Sequence, residues 1–502
     1  MSKNGYIAFD LGAESGRAML LTLDDGGSGG FDITEAHRFA NVPVSLPSGL
    51  HWNLTGLWAN LLEGLAKAGE LARDRGVDLV SLGVDTWGVD HALLGRSGSV
   101  LGMPLCYRDE RFPKVCESTH ATCSAHFIYG ATGIQMLPFN TLYQLMEVKQ
   151  REPDLLAAAG RMLNLPDLLH YFFSGNMANE ATIASTTQML DPHEGVWHRG
   201  LLGELGLPLE PLGEIVPAGT KLGSLRGELA EAAGVQGIDI IVPGSHDTAS
   251  AVAAVPAGPD SGHWAFLSSG TWSLLGAELD APVVNDQAYE AGFTNERGVA
   301  GKIRFLKNIS GLWLVQEVRR DYERRGEAYD YAELTELAAD TEAFRTLVDP
   351  AHAPFASPGG MLDKIDDFAR ATGQPKPQMP GHYVRCCLES LALCYADTLA
   401  SAEAILGERF DTLHVVGGGG KNRLLQQMTA DALGRRVVVG PEEGTAIGNA
   451  LTQAMGHGDL ADLAALRTLV RSSVAPTTYT PQDADAFAHQ RERYTALCGS
   501  QA

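Results

Sequence analysis

One local pattern occurs twice in the chain: an apolar strand, a turn that contains glycine, and a strand that returns beside the first. Near the N-terminus the predicted strands are residues 5–10 and 17–23, and the turn is LGAESG. The pattern restarts at residues 265–268 and 272–275 around the turn SGT. This order of elements predicts an α/β protein with two similar halves, which would face each other across a cleft.

Later strands in each half run directly into a turn. Residues 79–84 are predicted as a strand that ends at DTWGVD. Residues 238–242 are a strand that ends at PGSHD, before a helix of small residues. In the second half, residues 413–416 enter GGGGKN, and residues 424–433 follow as a helix. Strand ends of this kind are where ligand groups are expected.

A segment rich in proline and glycine, residues 255–262, is the predicted linker. It divides the chain into an N-terminal domain of residues 1–255 and a C-terminal domain of residues 256–502. Long amphipathic helices are predicted in each domain, over residues 54–75 and 384–406.

The charge balance limits the possible partners. Lys and Arg total 38 and Asp and Glu total 61, which gives a formal net charge of −23. No basic stripe offsets this charge, so nucleic acid and anionic membrane surfaces are disfavoured. The N-terminus has no signal-like apolar region, and no apolar run reaches the roughly 18 residues of a membrane span, so we expect a cytoplasmic protein. The seven cysteines lack CxxC spacing, which argues against a disulfide framework and a zinc site.

The first glycine turn, within DLGAESGR, is a candidate phosphate site. Gly12 and Gly16 are expected to allow a tight turn with positive φ, whose amides converge on phosphate oxygens. Ser15 offers a hydroxyl, Arg17 a positive charge, and Asp10 a carboxylate that could hold hydrated Mg²⁺. A plain glycine-rich hairpin is the alternative interpretation.

The second glycine-rich turn, GGGGKN at residues 417–422, is not a P-loop. Asn422 stands where a P-loop has Ser or Thr, and Val415 occupies the position of the first glycine. A surface without side chains ahead of a helix suits close approach of a flat or anionic ligand. A tightly packed strand-to-helix turn is the alternative.

Three further motifs carry candidate ligand groups. In SHDTAS, Asp247 stands between a strand and a helix, where it could be a general base or a helix cap. His246 could be the base instead, or an ordinary hydrogen-bonding histidine. In DTWGVD, the tryptophan beside Gly88 suits a sugar face or a packed core. In KNISGLWLVQE, Asn308 and Gln316 are ligand donors or helix surface.

Together these motifs resemble the FGGY family of carbohydrate kinases over almost the whole chain, from Asp10 to Pro481. The matching strings are DLGAESGR, GVDTWGVD, YRDER, GIQMLPFNTLYQL, SHDTASAV, LSSGTWS, LKNISGLW and VVGGGGKN. The resemblance implies two actin-like, ribonuclease-H-like α/β domains around an interdomain cleft.

The resemblance also implies roles for individual residues. Asp247 would be the catalytic base. The implied sugar contacts are Gly88, His246, Asp247, Thr248 and Asn308. The implied ATP contacts are Ala13, Glu14, Ser15, Gly16, Arg17, Thr271, Gln316 and Gly418. Glu14 departs from many relatives, which carry a small hydroxyl residue there. Because an acid is repelled by phosphate, we expect its side chain to point away.

The implied reaction is phosphorylation of L-rhamnulose by ATP at the primary hydroxyl, with Mg²⁺, as a step of L-rhamnose catabolism. A kinase for another ketose, L-fuculose or D-xylulose, is one alternative, and a non-catalytic actin-like sugar sensor is another. We expect ATP and a ketose as small-molecule partners, and a monomer or small homo-oligomer without nucleic acid or membrane.

Overall fold

The computed structural model describes residues 3–24, 29–258 and 261–499, so residues 259 and 260 of the predicted linker lie outside the described residues. The chain splits into two compact units. Unit 1 comprises Met1–Ala254, Glu278–Phe305 and Gly444–Ser473, and unit 2 comprises Val255–Ala277, Leu306–Glu443 and Val474–Ala502. Two segments of the C-terminal half therefore belong to unit 1, which the sequence did not predict. The division of the chain into domains of residues 1–255 and 256–502 stays a prediction.

The secondary-structure elements are numbered in chain order. The strands are β1 (Lys3–Leu11), β2 (Ser15–Leu23), β3 (Phe31–Ala40), β4 (Val44–Leu46), β5 (Gly49–His51), β6 (Val77–Thr86), β7 (His91–Gly95), β8 (Ala159–Asn164), β9 (Asn179–Glu180), β10 (Ile215–Val216), β11 (Lys221–Ser224), β12 (Asp239–Ile241), β13 (Trp264–Ser269), β14 (Trp272–Leu279), β15 (Thr294–Arg297), β16 (Ile303–Ser310), β17 (Thr412–Val416), β18 (Arg436–Val439) and β19 (Thr477–Tyr479).

The α-helices are α1 (Leu54–Arg75), α2 (Phe112–Thr122), α3 (Ala125–Thr132), α4 (Thr141–Arg151), α5 (Pro153–Ala158), α6 (Leu165–Ser174), α7 (Ala181–Ser185), α8 (Arg199–Glu204), α9 (Gly227–Ala233), α10 (Asp247–Ala253), α11 (Asp286–Ala291), α12 (Trp313–Arg324), α13 (Tyr331–Ala339), α14 (Met361–Ala371), α15 (Pro380–Leu406), α16 (Arg423–Leu433), α17 (Gly444–His457), α18 (Leu463–Ser473) and α19 (Ala484–Gly499). The helices and strands predicted from the sequence are confirmed, with ends shifted by a few residues.

The main sheet of unit 1 has the strand order β11-β12-β6-β1-β2-β3. Strands β1, β2 and β3 form an antiparallel meander, and β6 and β12 continue the sheet parallel to β1. Ile7 and Phe9 point to one face and Ala8 to the other, and all three are fully buried, which explains the continuous apolar run of β1. Because β1 and β6 are parallel and in register, Asp10 stands beside Asp85 at their carboxyl ends.

The main sheet of unit 2 repeats this arrangement. The complete order of its strands is β15-β16-β14-β13-β17-β18-β19, in which β15 and residues 303–305 of β16 are assigned to unit 1. The first pair, β13 and β14, is antiparallel, and β17 and β18 run parallel to β13 on its other side. The prediction of two similar α/β halves is therefore confirmed by strand order.

The glycines of the first turn act differently from the prediction. Neither Gly12 nor Gly16 has a positive φ. At Gly16, a Cβ atom would lie 2.3 Å from the ring of Phe39 and 2.8 Å from the side chain of Leu11. Gly16 is thus required for close packing against β3 rather than for an unusual backbone conformation.

Helix α17 packs against α10, β1 and β6 within unit 1. At Gly448 a Cβ atom would lie only 1.8 Å from the backbone oxygen of Ser250, so the two helices approach each other at a glycine. On the sheet side, Gln453 donates to Ile7 O at 3.0 Å and accepts from Ser81 Oγ at 2.7 Å. This contact ties the C-terminal segment firmly into unit 1.

Gly448→Ala is expected to lower the free energy of unfolding by about 1–3 kcal/mol, the usual cost of overpacking, because α10 and α17 must separate to admit a methyl group. Gly130→Ala is the matched control, since Gly130 lies inside α3 with nothing within 4 Å of an added Cβ. Thermal unfolding of both variants measures the difference. A Gly448→Ala midpoint equal to that of wild type would contradict the close approach.

Candidate active site

Three carboxylates gather at the carboxyl end of the unit 1 sheet. Asp10 is the second-to-last residue of β1, Asp85 is the second-to-last residue of β6, and Asp247 is the first residue of α10, after β12. Their charges influence one another, because Asp10 and Asp247 both raise the pKa of Asp85. Carboxylates at the ends of parallel strands are in the place where open α/β sheets bind ligands.

Asp85 is fully buried. Its Oδ2 accepts a hydrogen bond from Asn449 Nδ2 at 2.6 Å, while Oδ1 has no hydrogen-bond partner among the described residues. Burial and the charge of Asp10 hold the pKa of Asp85 well above its ordinary value, and Asn449 acts in the opposite direction. A buried acceptor without a donor is a position where a ligand or ion can supply what is missing.

Asp10 forms an ion pair with Arg17 across the first hairpin, where the two residues face each other in register. The turn itself is held by Gly12 N, which donates to Ser15 O at 2.9 Å. Asn41 secures it further, because its Nδ2 donates to Gly12 O at 3.0 Å. These carbonyl groups, which would repel phosphate, are thus engaged inside the protein.

Of the predicted phosphate contacts in this turn, Glu14 and Ser15 are exposed, and Ala13 is half-buried. The Glu14 side chain therefore reaches solvent, and its direction relative to the phosphates stays a prediction. Arg17 is engaged with Asp10, so its first role is to balance that carboxylate.

Asp247 keeps 32% of its side chain exposed, so a ligand can reach it. Its Oδ1 accepts from Thr248 N at 2.5 Å and from Thr248 Oγ1 at 3.1 Å. Burial raises the pKa of Asp247 above its ordinary value, His246 counteracts this shift, and the charge of Asp10 adds to it. Thr248 itself is only 3% exposed, and its two hydrogen bonds hold the carboxylate of Asp247 in place. Its predicted sugar contact stays a prediction.

The backbone before Asp247 is fixed by two buried side chains. Ser245 N donates to Glu180 Oε2 at 3.1 Å, and His246 N donates to Thr182 Oγ1 at 3.1 Å. Burial raises the pKa of Glu180, although hydrogen bonds to its carboxylate lower it. The start of α10 is therefore a rigid position for a catalytic group.

The ring of His246 lies between charged residues. Its Nε2 is 3.4 Å from Asp247 Oδ1, and its Nδ1 is 3.2 Å from Glu296 Oε2. Arg304, which is fully buried, approaches the same nitrogen with Nη2 at 3.0 Å. Burial alone would raise the pKa of Glu296, but Arg304 and His246 bring it below its ordinary value.

The tryptophan of DTWGVD belongs to the core rather than to an open sugar face. Only 7% of Trp87 is exposed, and its Nε1 donates to Asp90 Oδ2 at 2.8 Å. Gly88, the predicted sugar contact, is half-buried and precedes Val89, whose φ of 69° is strained for a β-branched residue. Burial raises the pKa of Asp90 to about 6, although the hydrogen bonds that its carboxylate accepts lower the pKa.

In unit 2 the structure brings together two predicted ATP contacts. Thr271 lies in the turn between β13 and β14, and Gln316 lies on α12. Gln316 Nε2 donates to Thr271 Oγ1 at 3.0 Å, while its Oε1 is buried without a hydrogen-bond partner in the described part of the chain. Trp313 N also donates to Thr271 O, at 3.2 Å. The second hairpin turn is thus anchored to the start of α12.

The glycine-rich turn GGGGKN packs on the same hairpin. Gly417 has a φ of 90°, and at Gly419 a Cβ atom would lie 2.1 Å from Ser269 Oγ. Gly418 differs, because it is exposed and a Cβ there would meet nothing within 4 Å. Gly417 and Gly419 are therefore needed for packing, whereas Gly418 presents bare backbone on the surface of unit 2.

The remaining predicted residue, Asn308, lies half-buried on β16 in unit 2. Sequence reasoning did not single out Asp85, although its place at the end of a predicted strand was a usable signal. It also missed Glu296, Arg304 and Asn449, which come from distant parts of the sequence and have no local motif.

Comparison with known proteins gives a consistent result. Sequence models of the FGGY family of carbohydrate kinases match residues 5–254 with the N-terminal domain and residues 265–457 with the C-terminal domain. A rhamnulokinase of Bacteroides thetaiotaomicron is 42% identical over 97% of both chains. A rhamnulokinase of Enterococcus faecalis is 39% identical over 99% of this chain and 98% of its own length.

Solved structures agree on the fold. A ligand-bound xylulose kinase from Lactobacillus acidophilus matches with a TM-score of 0.81 at 15% identity, over 99% of this chain and 98% of its own. A glycerol kinase from Plasmodium falciparum, solved with ADP, matches with a TM-score of 0.77 at 17% identity, over 99% and 97%. No helix in the described ranges is long and apolar enough to cross a membrane. With both domains matched and close relatives aligned from end to end, the chain belongs to the FGGY family of carbohydrate kinases.

Proposed function

We propose that the protein phosphorylates L-rhamnulose with ATP to give L-rhamnulose 1-phosphate, as a step of L-rhamnose catabolism. Identity of 37–42% to rhamnulokinases along nearly the whole chain supports this substrate. The observation that carries the mechanism is Asp247, a partly exposed carboxylate at a rigid helix start whose pKa is raised above its ordinary value.

Asp247 would act as the general base. The primary hydroxyl of the sugar attacks the γ-phosphorus, the bond from phosphorus to the oxygen of ADP breaks, and the hydroxyl proton passes to Asp247. Since the contacts to Thr248 and His246 go to Oδ1, the second oxygen of Asp247 is the proposed acceptor. Phosphoryl transfer needs mainly correct placement and charge stabilisation from the protein.

ATP would be held by backbone and small polar groups. The proposed phosphate contacts are the turn from Ala13 to Arg17 and the Thr271 hydroxyl, which Gln316 orients. Gly418 would admit the adenosine portion, because its surface carries no side chain. This mode of binding suits a protein whose net charge is strongly negative.

The residues at the end of the unit 1 sheet fit Mg²⁺. Asp10 and Asp85 supply two neighbouring carboxylates, and the buried Oδ1 of Asp85 accepts no hydrogen bond from the described residues. Within residues 3–24, 29–258 and 261–499, no group of three or more His, Cys, Asp or Glu is placed to hold a metal ion. This agrees with Mg²⁺, which commonly binds through one or two carboxylates together with substrate phosphates. When bound, the ion would offset the negative charge of the phosphates.

Asp247→Asn tests the base. The amide keeps the volume but cannot accept the proton, so kcat should fall by roughly 10²–10⁴-fold with little change in either KM. Asp154→Asn, an exposed position on α5, is the control and should keep wild-type kcat. Steady-state kinetics with L-rhamnulose measures both. If Asp247→Asn retained most of the wild-type kcat, the assignment of the base would be wrong.

Gly418→Val tests the nucleotide site. Because a Cβ fits there without contact, the variant should fold, while the bulkier side chain obstructs ATP. The KM for ATP should rise well above any change in the KM for the sugar. A thermal midpoint close to that of wild type is the folding control. Equal effects on both KM values would count against a nucleotide role.

Sugar preference tests the substrate. A wrong epimer leaves a buried polar group unpaired, at a cost of about 1–3 kcal/mol for each group. Two mismatches give roughly 10²-fold in kcat/KM, so L-rhamnulose should exceed L-fuculose and D-xylulose by that factor. Glycerol should be very poor. Asn308→Ala should narrow the margin between sugars rather than slow all of them alike.

The comparison of these sugars tests the choice of substrate and the kinase activity separately. A wild-type preference for xylulose or glycerol would reject L-rhamnulose as the substrate and leave the sugar kinase class intact. Absence of phosphorylation for every sugar tested would reject catalytic activity and favour a sugar sensor.

A further inference from the structure

Arg304 is a buried cation whose side chain bonds to three residues of unit 1. None of its side chain is exposed. Its Nε donates to Arg297 O at 3.0 Å, and its Nη1 lies 3.0 Å from Glu296 Oε2. Its Nη2 lies 3.0 Å from His246 Nδ1 in hydrogen-bond geometry. A fully buried arginine in this position is held in one orientation by its partners.

This contact determines where His246 carries its proton. A guanidinium group has only donors, so Nδ1 must be the acceptor in the bond with Arg304. A neutral imidazole with a lone pair on Nδ1 carries its proton on Nε2. That nitrogen is the one that lies 3.4 Å from Asp247 Oδ1.

Glu296 would favour the opposite arrangement, because its carboxylate lies 3.2 Å from Nδ1 and could accept a proton there. However, Glu296 Oε2 accepts no hydrogen bond from any described residue. It is paired in charge with Arg304 instead. The geometry therefore gives Arg304, not Glu296, the directional bond to the ring.

We propose that Arg304 is a positioning residue for phosphoryl transfer, because it fixes the proton of His246 on Nε2 and so directs an N–H group toward Asp247. His246 is then a hydrogen-bond donor and not a second base. The N–H group on Nε2 then faces Oδ1 of Asp247 at 3.4 Å, the same oxygen that Thr248 contacts, and the other oxygen is left to take the proton of the sugar. This inference rests on the proposed function for its catalytic meaning, whereas the position of the proton on His246 does not depend on it.

The position of the proton can be observed directly. Ring-nitrogen NMR of the full-length protein, labelled at histidine and assigned with His246→Gln, distinguishes the two neutral tautomers and the cation. We expect a neutral His246 with its proton on Nε2 in the wild type. A proton on Nδ1 in the wild type would overturn the proposal without any kinetic measurement.

Arg304 variants test the cause. In Arg304→Met, Glu296 is left as the neighbour of Nδ1, so the proton should move to Nδ1 or the ring should become a cation. The kcat should fall by roughly 10- to 100-fold, the contribution of a hydrogen bond to a charged group, with the KM for ATP unchanged. Arg304→Lys, which keeps a donor, should preserve the Nε2 tautomer and recover part of the loss in kcat.

Arg304→Met alone leaves Glu296 as an unpaired buried charge and can fail to fold. The double variant Arg304→Met, Glu296→Met then takes its place, because it replaces the buried ion pair by two apolar side chains. A folded Arg304 variant that keeps both the wild-type spectrum and the wild-type kcat would refute the role of Arg304. Wild-type protein that phosphorylates no sugar but shows the Nε2 tautomer would count against the proposed function alone, so the two failures are distinguishable.

Discussion

Electrostatic repulsion among Asp10, Asp85 and Asp247 is the constraint on which the rest of unit 1 depends. Parallel strands in register place Asp10 beside Asp85, and the helix start after β12 adds Asp247. Burial is the main cause of the raised pKa of Asp85 and of Asp247, and the negative charge of Asp10 adds to both shifts. Arg17 and Asn449 offset part of this cost by direct bonds to two of the carboxylates. Such an arrangement is typical of a functional site.

The groups that support this site come largely from the C-terminal half of the chain. Asn449 lies on α17, and Glu296 and Arg304 lie on β15 and β16, in two segments that belong to unit 1. An N-terminal fragment that ended at Ala254 would lack all three residues. The surroundings of the three carboxylates therefore depend on the folding of segments from both halves of the chain.

The sequence predicted the elements well because buried strands and amphipathic helices have clear periodicity. The family resemblance then selected Asp247 and the pair Thr271 and Gln316, of which the structure joins the last two by a hydrogen bond. The predicted positive φ of Gly16 was wrong, since a tight contact between neighbouring strands leaves no signal in the sequence distinct from a turn. The bond from Arg304 to His246 spans 58 residues, and no local pattern reports a contact at that separation.

In the proposed reaction Asp247 accepts the proton of the primary hydroxyl of L-rhamnulose while the γ-phosphoryl group of ATP is transferred to that oxygen. Phosphorus NMR of the protein with L-rhamnulose, ATP and Mg²⁺ tests it most directly, because the position of the new phosphate is read from its coupling to the sugar protons. We expect L-rhamnulose 1-phosphate and ADP in equal amounts. Inorganic phosphate in place of a sugar phosphate, or a phosphate on a secondary hydroxyl, would contradict it.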